Sequence, residues 1–251
     1  MIKPKYIHWK TNRFRWIGMG IVFILLLGVI GLSMASVRAN IKTIASPLTG
    51  EVIVIDPGHG GVDGGAVSKD GLIEKEITLK ISMFLRDFLQ ESGAYVVMTR
   101  ETDTDLAQSQ TNKLSKRKAE DLMKRVHLIK EKKASAVISI HLNAFPQSRY
   151  AGAQTFYHPA RDQNKRLASF IQYALIHQLE NTNRIPKPKE DVYLLKESPV
   201  PTALVEVGFL SNPQETKLLR NEDYQRKIAA SIYQGIIGFY SNQQEPKFET
   251  E

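Results

Sequence analysis

Apolar and polar positions follow two regimes along this chain. From Trp16 to Val37 there is no charged residue, and the centre of that stretch, Ile21 to Leu27, is apolar throughout. Its 22 residues, at about 1.5 Å of helical rise each, match the roughly 30 Å hydrocarbon layer of a bilayer. From residue 52 onward the pattern changes to short β-branched runs alternating with segments of helical period.

That alternation predicts the elements. A strand over 51–55 leads into a Gly- and Asp-rich loop over 56–73, because Asp56-Pro57-Gly58 stops the run. Ile77, Ile81, Phe84, Leu85 and Phe88 form one face of a helix from about Lys75 to Ser92, with Gly93 as its stop. Tyr95–Thr99 reads as a strand and 100–112 as loop. Leu114, Ala119, Leu122, Val126 and Ile129 suggest the apolar side of a basic helix over Lys113–Lys133, whose charge run reads as a solvated face. Strands follow at Ala136–Ile140 and Gly152–Tyr157, then a helix over Arg161–Leu179 and a loop over Asn181–Glu190. A short strand near Tyr193, a strand over Ala203–Val207 and a helix over Asn221–Tyr240 complete the series. The tail from Ser241 is expected to fray.

Strands alternating with helices argue for an α/β fold: a single three-layer domain, a mostly parallel mixed sheet with helices on both faces, preceded by an N-terminal membrane segment. The divisions read as a basic flank over 1–15, a signal anchor or signal peptide over 16–37, a linker over 38–49, the domain over 50–242 and a polar tail over 243–251. Ser33, Ala35, Ser36 and Ala39 would allow cleavage, whereas the apolar run exceeds a usual signal core, so anchor and cleaved signal both stand. Either places the domain outside the cytoplasm.

Charge sharpens this division. The chain has a formal net charge of +8, but residues 1–46 hold seven of its 34 basic residues and no acid. The remainder, with 27 basic and 26 acidic residues, is nearly neutral. A polyanion-binding role loses its main support, and no nucleic-acid partner is expected. The basic flank instead orients the N-terminus toward the cytoplasm. The 251 residues include no cysteine, so thiolate ligands and disulfides are excluded.

Four side chains carry candidate chemistry. His59 stands in Gly58-His59-Gly60-Gly61 at the carboxyl end of the first strand, where open α/β sheets place ligands. Taken alone it reads equally well as a turn residue bonded to Asp56. His141 ends the strand Ile138-Ser139-Ile140, at the same sheet edge. Glu74 opens the first helix, where the macrodipole favours a carboxylate, and Glu76 beside it has an equal electrostatic claim. Glu206 lies among Ala203, Leu204, Val205 and Val207, so it is partly desolvated and its pKa rises, which suits general base and acid work. A structural salt bridge is the plainer account of it. Two histidines and two carboxylates fit a zinc hydrolase, in which three ligands leave a position for water. No phosphate loop, dinucleotide fingerprint or Gly-x-Ser-x-Gly elbow competes.

Four blocks, Val54 to Gly61, Gly71 to Lys75, Ser139 to Ala144 and Val205 to Asn212, together resemble the zinc-dependent N-acetylmuramoyl-L-alanine amidases of the amidase-3 type. The resemblance runs in order from about 51 to 240. It implies metal ligands at His59, Glu74 and His141, choosing Glu74 over Glu76, and a catalytic role for Glu206. It implies Zn2+ and cleavage of the amide between the lactyl group of N-acetylmuramic acid and L-alanine in peptidoglycan. Arg100 also matches a family position and reads as structural. The layout is most similar to the germination-specific, spore-cortex amidases. That similarity implies a place in the spore envelope or forespore intermembrane space and a step toward muramic-δ-lactam. The partners it implies are glycan strands with stem peptides, a downstream deacetylase, room for an accessory protein, and the membrane through the N-terminal segment. A non-catalytic wall-binding module and a different wall hydrolase, a peptidase or deacetylase, are the alternatives.

Overall fold

A computed structural model describes residues 12–44, 46–241 and 243–248, and the chain divides into two compact units, 1–45 and 46–251. Among the described residues, the first holds the helix α1 (Asn12–Ile44). Its segment Trp16–Met34 is long and apolar enough to cross a membrane. Residues 38–44, expected as linker, continue this helix.

The second unit is built around a six-stranded sheet. Its elements are β1 (Val52–Pro57), α2 (Glu74–Glu91), β2 (Tyr95–Met98), α3 (Leu114–Glu131), β3 (Ala136–Asn143), β4 (Gln154–Tyr157), α4 (Asp162–Leu179), β5 (Lys187–Pro188), α5 (Tyr193–Glu197), β6 (Thr202–Phe209), α6 (Pro213–Leu219) and α7 (Glu222–Tyr240). The strand order is β2-β1-β3-β6-β4-β5. All neighbours are parallel except β4, which runs antiparallel to β6. The expected mixed, mostly parallel sheet is the observed one.

The apolar runs are continuous because both faces of the sheet are covered. Ile53 and Ile55 of β1 join a large core with Ile77, Ile81 and Leu85 of α2, Ile171 of α4 and Ile232 of α7. Val54, between them, points to the other face, where it meets Val137, Ile129 of α3 and Leu194 of α5. Leu48, placed in the linker by sequence, is fully buried in the larger core. From β1 the chain crosses to β2 on one side and then to β3 on the other. This makes the carboxyl ends of β1 and β3 a switch point, the place where such sheets bind ligands.

Several expectations need correction. The segment at Tyr193 is a short helix, not a strand, because that turn buries both Leu194 and Leu195. A seven-residue helix, α6, follows Asn212, whose side chain accepts hydrogen bonds from Gln214 and Glu215 backbone N–H groups, as a cap does. Lys187–Pro188, expected in a loop, adds a two-residue strand at the sheet edge. The described tail does not fray: Ser169 donates to Glu245 (2.9 Å), and Arg166 donates to the Gln243 carbonyl (3.3 Å). The largest departure is α3. Leu114, Ala119 and Leu122, expected on its inner side, are exposed. Its buried residues are Asp121, Arg125, Val126 and Ile129, so half of the inward face is ionic.

Candidate active site

The four candidate side chains come from separate elements. His59 follows β1, Glu74 is the first residue of α2, His141 lies in β3 and Glu206 in β6. Gly58 N–H donates to the Ile140 carbonyl (2.9 Å), which ties the His59 loop to β3 one residue before His141.

Three of them converge. One ligand atom from each of His59, Glu74 and His141 lies within 4.8 Å of the other two. Glu74 Oε1 is 3.2 Å from His59 Nε2 and 3.1 Å from His141 Nδ1. The imidazoles meet edge to face, with centroids 5.0 Å apart. Glu74 is buried, and its carboxylate is held by backbone: Oε2 accepts from Ala66 N–H (2.8 Å) and Oε1 from Leu142 N–H (2.9 Å). It therefore reaches across to β3 instead of capping its own helix. Glu76 is exposed and takes no part.

Glycines make this convergence sterically feasible. A Cβ on Gly58 would lie 2.5 Å from His141 Cε1, and one on Gly65 would lie 2.5 Å from Glu74 Oε2 and 2.6 Å from His59 Cδ2. The backbone packs directly against the three side chains, and only glycine leaves room for it.

Asp63, which sequence reasoning did not single out, supports His59. Its Oδ2 is 2.9 Å from His59 Nδ1, so the turn contact expected from Asp56 is made by Asp63 instead. Asp56 faces inward, to Ser139, Thr99 and Arg125. Asp63 is in turn 2.8 Å from Lys118 Nζ of α3. The available signal was a carboxylate four residues past a histidine in a glycine-rich loop. A carboxylate on the second ring nitrogen fixes the tautomer and leaves Nε2 directed at Glu74.

Charges follow from this packing. Burial alone would lower the pKa of His59, but hydrogen bonds and charge from Glu74, then Asp63, outweigh it and raise it. Burial would raise Glu74, yet the His141 and His59 contacts hold it well below the usual carboxylate range. Glu206 goes the other way. Burial pushes it up to about 7, with His141 opposing and the Glu74 charge adding to the rise. Its Oε2 is buried with no hydrogen-bond partner among the described residues, so the salt-bridge account of Glu206 does not apply. Glu206 is the register partner of His141 on the neighbouring strand.

Two imidazoles and a carboxylate that converge, beside a buried carboxyl group whose pKa is pushed up to about 7, form a donor set and acid–base group that fit a hydrolase of the metal-dependent kind. Comparison with known proteins gives that class a family. The chain belongs to the N-acetylmuramoyl-L-alanine amidases of the amidase-3 family, which matches residues 53–238. It is 45% identical over 235 residues to the germination-specific N-acetylmuramoyl-L-alanine amidase of Bacillus subtilis, covering 94% of this chain and 98% of that protein. Among solved structures, the CwlD amidase from Clostridioides difficile, in complex with the GerS lipoprotein, superposes with a TM-score of 0.74. That match is 44% identical and covers 75% of this chain and 98% of the other. An N-acetylmuramoyl-L-alanine amidase from Clostridium difficile 630 gives a TM-score of 0.69 at 30% identity, over 78% of this chain and all of the other.

Proposed function

We propose that this amidase hydrolyses the bond between the lactyl carbonyl of N-acetylmuramic acid and L-alanine in spore-cortex peptidoglycan, with a zinc ion held by His59, Glu74 and His141 and with Glu206 moving the proton. The observation that carries this reading is the convergence of the three donors within 4.8 Å. The donor set suits zinc: two imidazoles and a carboxylate, backed by Asp63, in a glycine-lined cradle that a Cβ would fill. A zinc ion there would supply Lewis-acid chemistry, polarising the scissile carbonyl and lowering the pKa of water toward neutral pH.

The remaining steps belong to this chain's own residues. Glu206, at the register position beside His141, accepts the water proton as its C–O bond to the carbonyl carbon forms. It then passes that proton to the alanine nitrogen as the C–N bond breaks. The products are a free lactyl carboxylate and a free L-alanine amino group. A carboxyl group pushed up to about 7, its Oε2 buried without a hydrogen-bond partner among the described residues, suits the uptake and release of a proton in one turnover. Asp63 holds the His59 ring in register throughout.

The likeness to the germination-specific Bacillus subtilis amidase supports a cortex role, in which peptide removal prepares muramic acid for conversion to the δ-lactam after deacetylation. The apolar α1 supports an extracytoplasmic domain, anchored or secreted, in the spore envelope or intermembrane space. The lipoprotein bound to the Clostridioides difficile relative supports an accessory partner here. Mass spectrometry of cortex fragments after digestion tests the reaction. Free lactyl groups paired with peptides beginning in L-alanine are expected. Release of acetate, or cuts within the peptide only, would overturn it.

A further inference from the structure

We propose that Arg125, with Arg100 beside it, is a positioning residue that holds the His59 loop in its metal-binding conformation. The inference rests on reading His59, Glu74 and His141 as a metal site. It gives the basic helix α3 a function that its solvated charges do not explain.

The backbone of the loop is unusual. His59 has φ +62°, in the left-handed region that a residue with a Cβ rarely adopts. Such a conformation persists only where the surroundings over-determine it. Here they do so through three consecutive carbonyls. Pro57 O accepts from Arg125 Nη1 (2.9 Å) and Arg100 Nε (3.1 Å). Gly58 O accepts from Arg100 Nη2 (3.0 Å) and Thr78 Oγ1 (3.0 Å). His59 O accepts from Arg125 Nη2 (2.7 Å). All three carbonyls of the loop are thus held by side-chain donors, while His59 Nε2 lies 3.2 Å from Glu74 Oε1.

Arg125 is itself fixed. It is 2% exposed, with Nη1 at 2.7 Å from Asp56 Oδ1 and Nε at 2.8 Å from Asp121 Oδ2. Asp56 also accepts from Ser139 Oγ of β3 (2.6 Å) and Thr99 Oγ1 (2.7 Å). The two aspartates balance the two arginines, so the guanidiniums brace the loop without adding net charge behind a cation site. An ion pair serving the core alone would need only the carboxylate contacts. Beyond those and a contact to Thr99 Oγ1 (3.3 Å), Arg125 donates to the carbonyls of Pro57 and His59 in the loop. Only a planar, forked donor group can reach Pro57 O and His59 O together.

The test is zinc affinity of the full-length protein, measured by chelator competition alongside the Tm of the metal-free form. Arg125→Lys keeps the charge facing Asp56 and Asp121 but loses the fork. We expect its zinc affinity to fall about 10–100-fold, as it does when groups orienting metal ligands are lost. Ile129→Val trims the fully buried Ile129 of the same helix, and is expected to lower Tm while leaving zinc affinity unchanged. Should Arg125→Lys fail to fold, Arg100→Lys, which spares the Asp56–Arg125–Asp121 contacts, is expected to weaken zinc binding in the same direction. Wild-type zinc affinity in the folded arginine variants, or an equal loss in Ile129→Val, overturns the proposal. Wild-type protein that takes up no zinc, or takes it up equally after His141→Ala, removes the site reading and this inference together.

Discussion

His141 and Glu206 stand opposite one another on adjacent parallel strands, β3 and β6. The pairing places the carboxyl group proposed to accept the proton beside a candidate metal ligand, and strands set the separation, not a loop. Glu206→Gln keeps the shape and removes the base. Its kcat should fall about 10²–10⁴-fold, the range for loss of a positioned acid–base group. Zinc content should stay at the wild-type level, because Glu206 is not among the three converging donors. Release of peptides from cortex glycan, with metal analysis of the same sample, checks both halves. Retained activity would sink the proton-transfer role.

The pH profile follows from the same residue. A base must be ionised, so activity rises as pH climbs through the Glu206 pKa and is lost as pH falls below it. Burial raises that pKa from 4.5 to about 7 before any cation is present. A divalent cation on the neighbouring donors favours the ionised form and moves the limb downward. The acidic limb of kcat/KM is therefore expected between those two values, and the residual activity of Glu206→Gln should lack it. An unchanged limb in the variant would assign it to another group.

Three of the candidate residues, His59, His141 and Glu206, were legible because each stands where a periodic pattern breaks; Glu74 was chosen over Glu76 by resemblance alone. The β-branched run 52–55 ends at Gly58-His59, the run 136–140 at His141, and Glu206 interrupts the apolar β6. The sheet follows from the same runs, since strands buried on both faces read as unbroken apolar stretches. What stayed hidden depends on tertiary partners. Helical period assigns the inside of α3 to its apolar residues, yet Asp56 lies below it, and an arginine that meets a buried carboxylate displaces leucines to the surface. Tyr193–Glu197 is too short for a period to declare itself, and burial of Leu194 and Leu195 decides its conformation. Asp63 is four residues from His59, but nothing in that spacing tells whether its carboxylate turns toward Nδ1.

Asp63 yields a prediction of its own. Its contact with His59 Nδ1 at 2.9 Å orients the ring without touching the other two donors. Asp63→Ala should weaken zinc binding about 10–100-fold, the usual cost of losing a carboxylate that orients a histidine ligand. Chelator competition gives the affinity directly. An unchanged affinity would mean that the glycine cradle alone holds the ring.

Asp56, whose contact fixes Arg125, gives a test of stability. Burial would raise its pKa, but the Arg125 charge and hydrogen bonds from Ser139 and Thr99 outweigh it and bring it from 3.8 to about 2. A depressed folded-state pKa stabilises the fold above the unfolded value of 3.8. That contribution is lost as pH falls through the folded value of about 2. Wild-type urea midpoints should therefore decline between those limits. Asp56→Asn should lower stability at neutral pH by about 3–5 kcal/mol, because it leaves Arg125 buried without its main countercharge. Its midpoints should also lose the Asp56 share of the acid decline. Equal midpoints for the two proteins at neutral pH would show that Asp121 alone balances Arg125, and that the Asp56 contact adds no stability.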